Sequence, residues 1–172
     1  TRLHGLVFWA IFALTCVASA ADAQDQGKVL ADSGFRPQAD GFGFANWGGD
    51  QYPNSDLTSN DLVVLFGDQV CARWDGDNCV PPPGATIFLE QANALSKGGH
   101  CEGMAALSSA FKTHVENATE FGSSSTFALK PDRADLMRSI SRYFITQMLD
   151  PVAYNNRATR EWSLEETVKF IA

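Results

Sequence analysis

The stretch GGHCEGM, residues 98–104, places a cysteine directly after two glycines and a histidine. Gly98 and Gly99 end the preceding apolar-periodic segment, and a new helical pattern begins at Cys101. Its apolar positions, three and four residues apart, are Met104, Leu107 and Phe111. The pattern predicts a buried helix from Cys101 to about Glu116, with the sulfur in its first turn and at the edge of a cleft.

A cysteine in the first turn of a helix is well placed to act as a nucleophile. The helix dipole and the unpaired amides of that turn stabilise a thiolate, and the same amides can bind a developing oxyanion. Gly103 is expected to leave room for a substrate beside the sulfur, whereas the carboxylate of Glu102 opposes ionisation of the thiol. The alternative is that Cys101 is a buried structural residue.

Residues 85–116 resemble the nucleophile region of papain-like cysteine peptidases. The residues that carry the likeness are Gly99, Cys101, Gly103 and Met104. In that family a cysteine heads the central helix after a glycine-containing loop, and exported bacterial members have Cys-x-Gly-Met variants. Phe42–Trp47 and Phe66–Cys71 look like stretches of uncharacterised exported bacterial proteins with this motif. The resemblance implies a thiol hydrolase that acts on a peptide or protein without a cofactor.

The resemblance also implies a fold and a set of partner residues for the cysteine. The chain is mainly α and would be the helical half of an α+β papain-like domain, with the sheet portion missing. Such a site needs a histidine base and an orienting Asn or Asp. His100 should point away from the sulfur, and His114 lies roughly 20 Å along the same predicted helix. Leu95 stands where the family has its oxyanion glutamine, so Gln91 and Asn93 are candidates to replace it.

We therefore expect the base and its partner beyond the C-terminal residue, and no activity from this chain alone. The competing hypothesis is a non-catalytic envelope or extracellular binding protein with a structural Cys101. In that protein Trp47, Tyr52 and Trp74 could contact glycans or peptides, although large aromatics more often anchor a core. The net charge of −7 excludes nucleic acid as a partner.

The first 23 residues show the three parts of a secretory signal peptide. A basic start is followed by an apolar run over residues 6–17 and by small residues that permit cleavage after Ala20 or Ala23. The run is shorter than the roughly 20 apolar residues of a membrane-spanning helix. The sequence predicts a bacterial exported protein, periplasmic or extracellular, that is not an integral membrane protein after cleavage.

Cys71 and Cys79 bracket a turn-rich segment. In an oxidising compartment their spacing predicts a local disulfide. No further Cys or His lies at the spacing of a zinc site, and residues 75–78 lack the other ligands of a calcium loop. We expect a plain turn at residues 75–78 and no metal.

The remaining pattern divides the chain into three parts. After the signal peptide, residues 24–84 form an irregular segment with a short helix and the disulfide loop, and residues 85–172 form the helical part of a truncated domain. The predicted helices cover residues 62–66 after a capping box at Thr58 and Asp61, 85–97, 101–116, 131–149 between Pro131 and Pro151, and a last one after a capping box at Ser163 and Glu166. A strand is the alternative for residues 62–66.

Overall fold

The computed structural model describes residues 32–171, and the predicted signal peptide at residues 1–23 lies outside them. The described residues contain seven α-helices and one hairpin. The helices are α1 (Pro37–Asp40), α2 (Ser59–Phe66), α3 (Pro83–Ser96), α4 (Cys101–Lys112), α5 (Ala134–Ile145), α6 (Val152–Thr159) and α7 (Leu164–Ile171). The strands are β1 (Arg73–Asp75) and β2 (Asn78–Val80). This part of the chain is therefore mainly α, as predicted.

Helices α2 and α3 confirm the sequence predictions. The carboxylate of Asp61 accepts hydrogen bonds from the backbone N–H of Thr58 at 2.8 Å and from its hydroxyl at 2.7 Å. These bonds fix the start of α2 and exclude the strand alternative. Pro83 occupies the first position of α3, where its missing N–H costs no intrahelical bond.

Helices α4 and α5 pack against each other along the centre of the fold. Helix α4 begins at Cys101, as predicted, but ends at Lys112 because His114 adopts a left-handed backbone with φ of 59°. The long helix predicted for residues 131–149 is wrong in its extent. Pro131 lies in a turn before α5, and a short 3₁₀ turn, Thr146–Met148, follows α5.

The core joins the irregular segment to the helices. Its main cluster comprises Trp47, Leu107, Ala110, Phe111, Leu129, Leu136, Met137 and Ile140. A second cluster contains Leu57, Ala92, Phe144 and Ile145. Trp47 and Leu57 precede the predicted helical part, yet they are buried against α3, α4 and α5 residues. Burial of large apolar side chains of this kind stabilises a fold by about 1.5–3 kcal/mol each.

The predicted disulfide is confirmed and belongs to the hairpin. Cys71 and Cys79 are bonded, with their α-carbons 5.4 Å apart. Strands β1 and β2 are antiparallel and are joined by the two-residue turn at Gly76 and Asp77, which is the plain turn expected there. Asn60 of α2 holds the hairpin, because its amide donates to the Asp77 carbonyl and accepts from the backbone N–H of Cys79.

The C-terminal part contains one helix that the sequence analysis missed. Helix α6 starts directly after Pro151, which was expected only to end the preceding helix. The capping box before α7 is confirmed, since Ser163 and Glu166 exchange side-chain and backbone hydrogen bonds. Among residues 32–171 no helix has the length and apolarity needed to cross a membrane.

Candidate functional site

Cys101 is the first residue of α4, and its side chain is exposed. It is the one free cysteine among the residues that the structure describes. The sequence prediction of a thiol in the first turn is therefore confirmed. A buried structural role for Cys101 does not agree with its exposure.

The loop before α4 is held by a second loop, residues 46–50. The side-chain oxygen of Asn46 accepts from the backbone N–H of His100 at 2.7 Å, and the backbone N–H of Gly49 donates to the Lys97 carbonyl at 2.9 Å. Gly99 adopts φ of +133°, and a β-carbon there would lie 2.8 Å from the Asn46 amide nitrogen. Glycine alone tolerates both this positive φ and the close approach of the Asn46 side chain. The start of α4, and with it the thiol, is therefore fixed in position.

His100 lies in the core rather than in an open loop, which corrects the expectation for this residue. Only 2 % of its surface is exposed, and its ring stacks on Trp47 with centroids 4.2 Å apart. Its Nδ1 is 3.1 Å from the Trp47 carbonyl oxygen. A carbonyl only accepts, so Nδ1 carries the proton and Nε2 is an acceptor. Among the described residues Nε2 has no hydrogen-bond partner.

The environment of His100 also makes it a poor general base. Burial lowers the pKa of its imidazole, and this outweighs the hydrogen bond to the Trp47 carbonyl and the charge of Asp56, both of which favour protonation. The ring is held between Trp47 and Phe144, whose ring centroid is 5.6 Å away. His100 therefore positions the backbone before Cys101 and has the wrong environment for accepting a proton.

Gly103 does not have the role that the sequence suggested. It is buried, and a β-carbon there would lie 2.8 Å from the Phe144 backbone nitrogen and would also overlap the Ile140 carbonyl. The space that its missing side chain leaves is occupied by α5. The expectation that Gly103 leaves room for a substrate is wrong, and its function is close helix packing.

The other near-site candidates lie on α3, on α4 and just beyond α4. Asn93 is used structurally, because its amide donates to the Leu57 carbonyl at 2.9 Å and accepts from the Leu57 backbone N–H at 2.8 Å. Gln91 is exposed on α3, and Glu102 is half-buried on α4. His114 is exposed and lies beyond the C-terminal end of α4, not on the helix as expected. The contacts described for these four residues do not join any of them to the Cys101 thiol.

An apolar cavity of about 540 Å³ lies along α4 and was missed by the sequence analysis. We call it the α4 groove. It is lined by Ser33, Phe35, Gly41, Phe42, Met104, Ala105, Ser108, Ser109, Lys112 and Thr113. Cys101 is not among its lining residues, so this cavity does not confirm the expectation that the sulfur lies at the edge of a cleft. The sequence signal for it is the row of small residues on one face of α4, opposite the buried Leu107 and Phe111.

The three aromatic residues that were considered as ligand contacts differ in their burial. Trp47 is buried, and Tyr52 packs edge-on against it with ring centroids 5.7 Å apart. Both therefore anchor the core. Trp74 is exposed on β1. Within residues 32–171 no group of three or more His, Cys, Asp or Glu side chains could hold a metal ion.

Comparison of the chain with protein-family models, with curated proteins and with solved structures found no match.

Proposed function

We propose that this protein is an exported thiol hydrolase of the papain-like kind, with Cys101 as the nucleophile and a peptide or protein as the substrate. The observation that supports it best is the exposed free thiol at the first residue of α4. The first-turn amides of a helix stabilise negative charge and can bind an oxyanion. The hydrogen bond that the backbone N–H of His100 donates to Asn46, and the contact of the buried His100 ring with the Trp47 carbonyl, hold the residue that precedes that turn.

The chemistry proceeds by two displacements. The Cys101 thiolate attacks the carbonyl carbon of a peptide bond, the C–N bond breaks, and the amine leaves with a proton. Water then attacks the carbonyl carbon of the thioester, the C–S bond breaks, the acyl part leaves as a carboxylic acid, and the thiol is restored. Neither described histidine is placed to move these protons, because His100 is held in the core and His114 lies beyond the far end of α4. The proposal therefore requires a base from outside residues 32–171.

The test of the nucleophile combines labelling and hydrolysis. In the protein encoded by the full reading frame, iodoacetamide should label Cys101 several-fold faster at neutral pH than a cysteine in an unstructured peptide, because the base that the proposal requires would pair with the thiolate. In the protein encoded by the full reading frame, Cys101→Ala should abolish peptide hydrolysis while leaving the helical content unchanged, since the replaced side chain is exposed. A Cys101→Ala protein that hydrolyses peptides as well as the wild type would reject Cys101 as the nucleophile, and a wild-type protein that hydrolyses no peptide would favour the non-catalytic binding protein.

Export has separate support. A disulfide between Cys71 and Cys79 is typical of proteins from oxidising compartments. The N-terminal residues 1–23 carry the signal pattern, so the mature protein from its native host should begin near Ala21 or Gln24. N-terminal sequencing checks this, and recovery of residues 1–20 on the mature protein would contradict it.

A further inference from the structure

A polar cavity of about 380 Å³ lies between the start of α2, the hairpin and α5. We call it the arginine pocket, and it shares no lining residue with the α4 groove. Its two cationic lining residues are Arg138 and Arg142, which stand four positions apart and therefore on one face of α5. Asp61 is its only acidic lining residue. The pocket thus has a net positive lining in a chain whose net charge is −7.

The carboxylate of Asp61 is already satisfied within the fold. One of its oxygens accepts a hydrogen bond from Arg142 at 2.5 Å. The other oxygen accepts from the backbone N–H and from the hydroxyl of Thr58, at 2.8 Å and 2.7 Å. The Asp61 side chain is only 4 % exposed. Its charge is therefore matched by Arg142, and the second arginine of the pocket has no carboxylate of its own.

That second arginine is Arg138. Its Nε lies 3.9 Å from the Asp61 oxygen that Thr58 occupies, which is beyond hydrogen-bonding distance. Within residues 32–171 its guanidinium group donates no hydrogen bond, although the side chain is only 32 % exposed. Two cations four residues apart on a helix also repel each other. A bound anion would relieve this repulsion and would accept the unused N–H groups of Arg138.

The rest of the lining suits a small hydroxylated acid. Ser59 in the first turn of α2 and Asn78 of β2 have side chains that make no hydrogen bond to any residue that the structure describes, and Val64 is the only apolar lining residue. Hydroxyl and amide groups can pair with ligand hydroxyls, whereas a guanidinium group binds a carboxylate through two parallel hydrogen bonds. A single surplus positive charge matches a monoanion better than a doubly charged phosphate.

From this geometry we infer that the arginine pocket binds the carboxylate of a small polyhydroxylated acid, with Arg138 as the residue that holds it. The pair of Asp61 and Arg142 joins α2 to α5 and so keeps two sides of the pocket together. The site does not involve Cys101. The inference therefore goes beyond the hydrolase proposed above and holds whether or not the protein cleaves peptides.

Isothermal titration calorimetry of the full-length protein with gluconate and with sorbitol tests the inference. The two probes share a carbon chain and differ at one end, where sorbitol has a hydroxyl group in place of the carboxylate. Gluconate should bind with a Kd of about 1 mM or below, and sorbitol should give no measurable binding. No binding of gluconate, or equal binding of the two probes, would overturn the inference. Tighter binding of inorganic phosphate than of gluconate would overturn the assignment of a carboxylate.

Matched variants assign the binding to the pocket. Arg138→Gln should raise the Kd for gluconate about tenfold or more, because charge-assisted hydrogen bonds are lost. Arg157→Gln removes the same charge from an exposed ion pair with Asp150 and should bind gluconate like the wild type. Asn78→Asp places a carboxylate at an exposed position of the pocket, so it should also weaken binding, and it serves if Arg138→Gln does not fold. An unchanged Kd in both pocket variants would show that gluconate binds elsewhere and would overturn the site.

Discussion

The imidazole of His100 stacks on the indole of Trp47, with ring centroids 4.2 Å apart and ring planes 15° apart. The same imidazole donates from Nδ1 to the Trp47 carbonyl at 3.1 Å, and the Phe144 ring of α5 lies 5.6 Å away. The residue before the candidate nucleophile thus joins a loop, α4 and α5 in one buried contact. The position of Cys101 therefore depends on an imidazole that is neutral and desolvated.

The stability of the fold should decrease as the pH falls below about 6.5, the ordinary pKa of histidine. Burial lowers the pKa of folded His100, so below that pH the unfolded chain binds more protons than the folded one. The stability that the fold gains from a neutral, buried His100 is fully present above the pKa of this histidine in the unfolded chain. It is lost as the pH falls toward the lower pKa of His100 in the folded protein. One such group changes the free energy of unfolding by up to about 1.4 kcal/mol per pH unit.

Urea denaturation between pH 7.5 and 5 measures this effect. His100→Phe keeps an aromatic ring against Trp47 but cannot titrate, so its stability should vary less across that range than that of the wild type. The aspartates whose pKa is lowered in the fold, such as Asp40 and Asp135, affect stability at lower pH. Parallel curves for the two proteins would show that His100 is not the titrating group.

Gly103→Ala should destabilise the protein strongly. The new β-carbon would lie 2.8 Å from the Phe144 backbone nitrogen and overlap the Ile140 carbonyl, so α4 and α5 would have to separate. Overpacking of this kind costs about 1–3 kcal/mol or more. Gly84→Ala in α3 is the control, because a β-carbon there meets no atom within 4 Å and alanine favours helix. Chemical denaturation should separate the two variants, and similar midpoints would refute the close packing at Gly103.

Features set by neighbours in sequence were predictable. The capping box of Thr58 and Asp61 fixed the start of α2, two glycines and a cysteine fixed the start of α4, and eight-residue spacing indicated the Cys71–Cys79 bond. In each case the interacting groups are a few residues apart, so the local pattern contains the physical cause.

Features set by distant contacts were not predictable in the same way. A glycine beside a cysteine suggests space for a substrate, and only the packed position of α5 reveals that Gly103 admits another helix. His100 has a polar side chain in a glycine loop, and its burial depends on Trp47, 53 residues earlier. The α4 groove likewise forms between α4 and residues 33–42, far apart in the chain.

Asp61→Asn should destabilise the fold more than the loss of a surface ion pair does. The Asp61 side chain is 4 % exposed and pairs with Arg142 of α5 at 2.5 Å, while also accepting two bonds from Thr58. An asparagine amide carries no charge, and its NH₂ group would face Thr58 and Arg142, which are themselves donors. Breaking a buried pair of this kind costs about 3–5 kcal/mol, and we expect the lower part of that range because Arg142 is 22 % exposed.

The control for Asp61 is Asp135→Asn. Asp135 pairs with Arg133 at the surface, where both side chains are nearly half exposed, and such pairs contribute about 0–1 kcal/mol. Urea denaturation at pH 7.5 compares the two variants with the wild type. If both lose the same stability, the pair between α2 and α5 does not hold these helices together.

Removal of the disulfide should destabilise the protein without unfolding its helices. The bond between Cys71 and Cys79 closes a short loop, and the entropy that it removes from the unfolded chain corresponds to about 2–3 kcal/mol. The hairpin is also held by Asn60 through Asp77 and Cys79, so the Cys71→Ala/Cys79→Ala double variant should retain the far-ultraviolet circular dichroism of the helices and show a lower urea midpoint. In the wild type, reduction should add two titratable thiols to those counted in the unreduced denatured protein. An unchanged midpoint in the double variant, or no gain of thiols on reduction, would contradict a disulfide that stabilises the native hairpin.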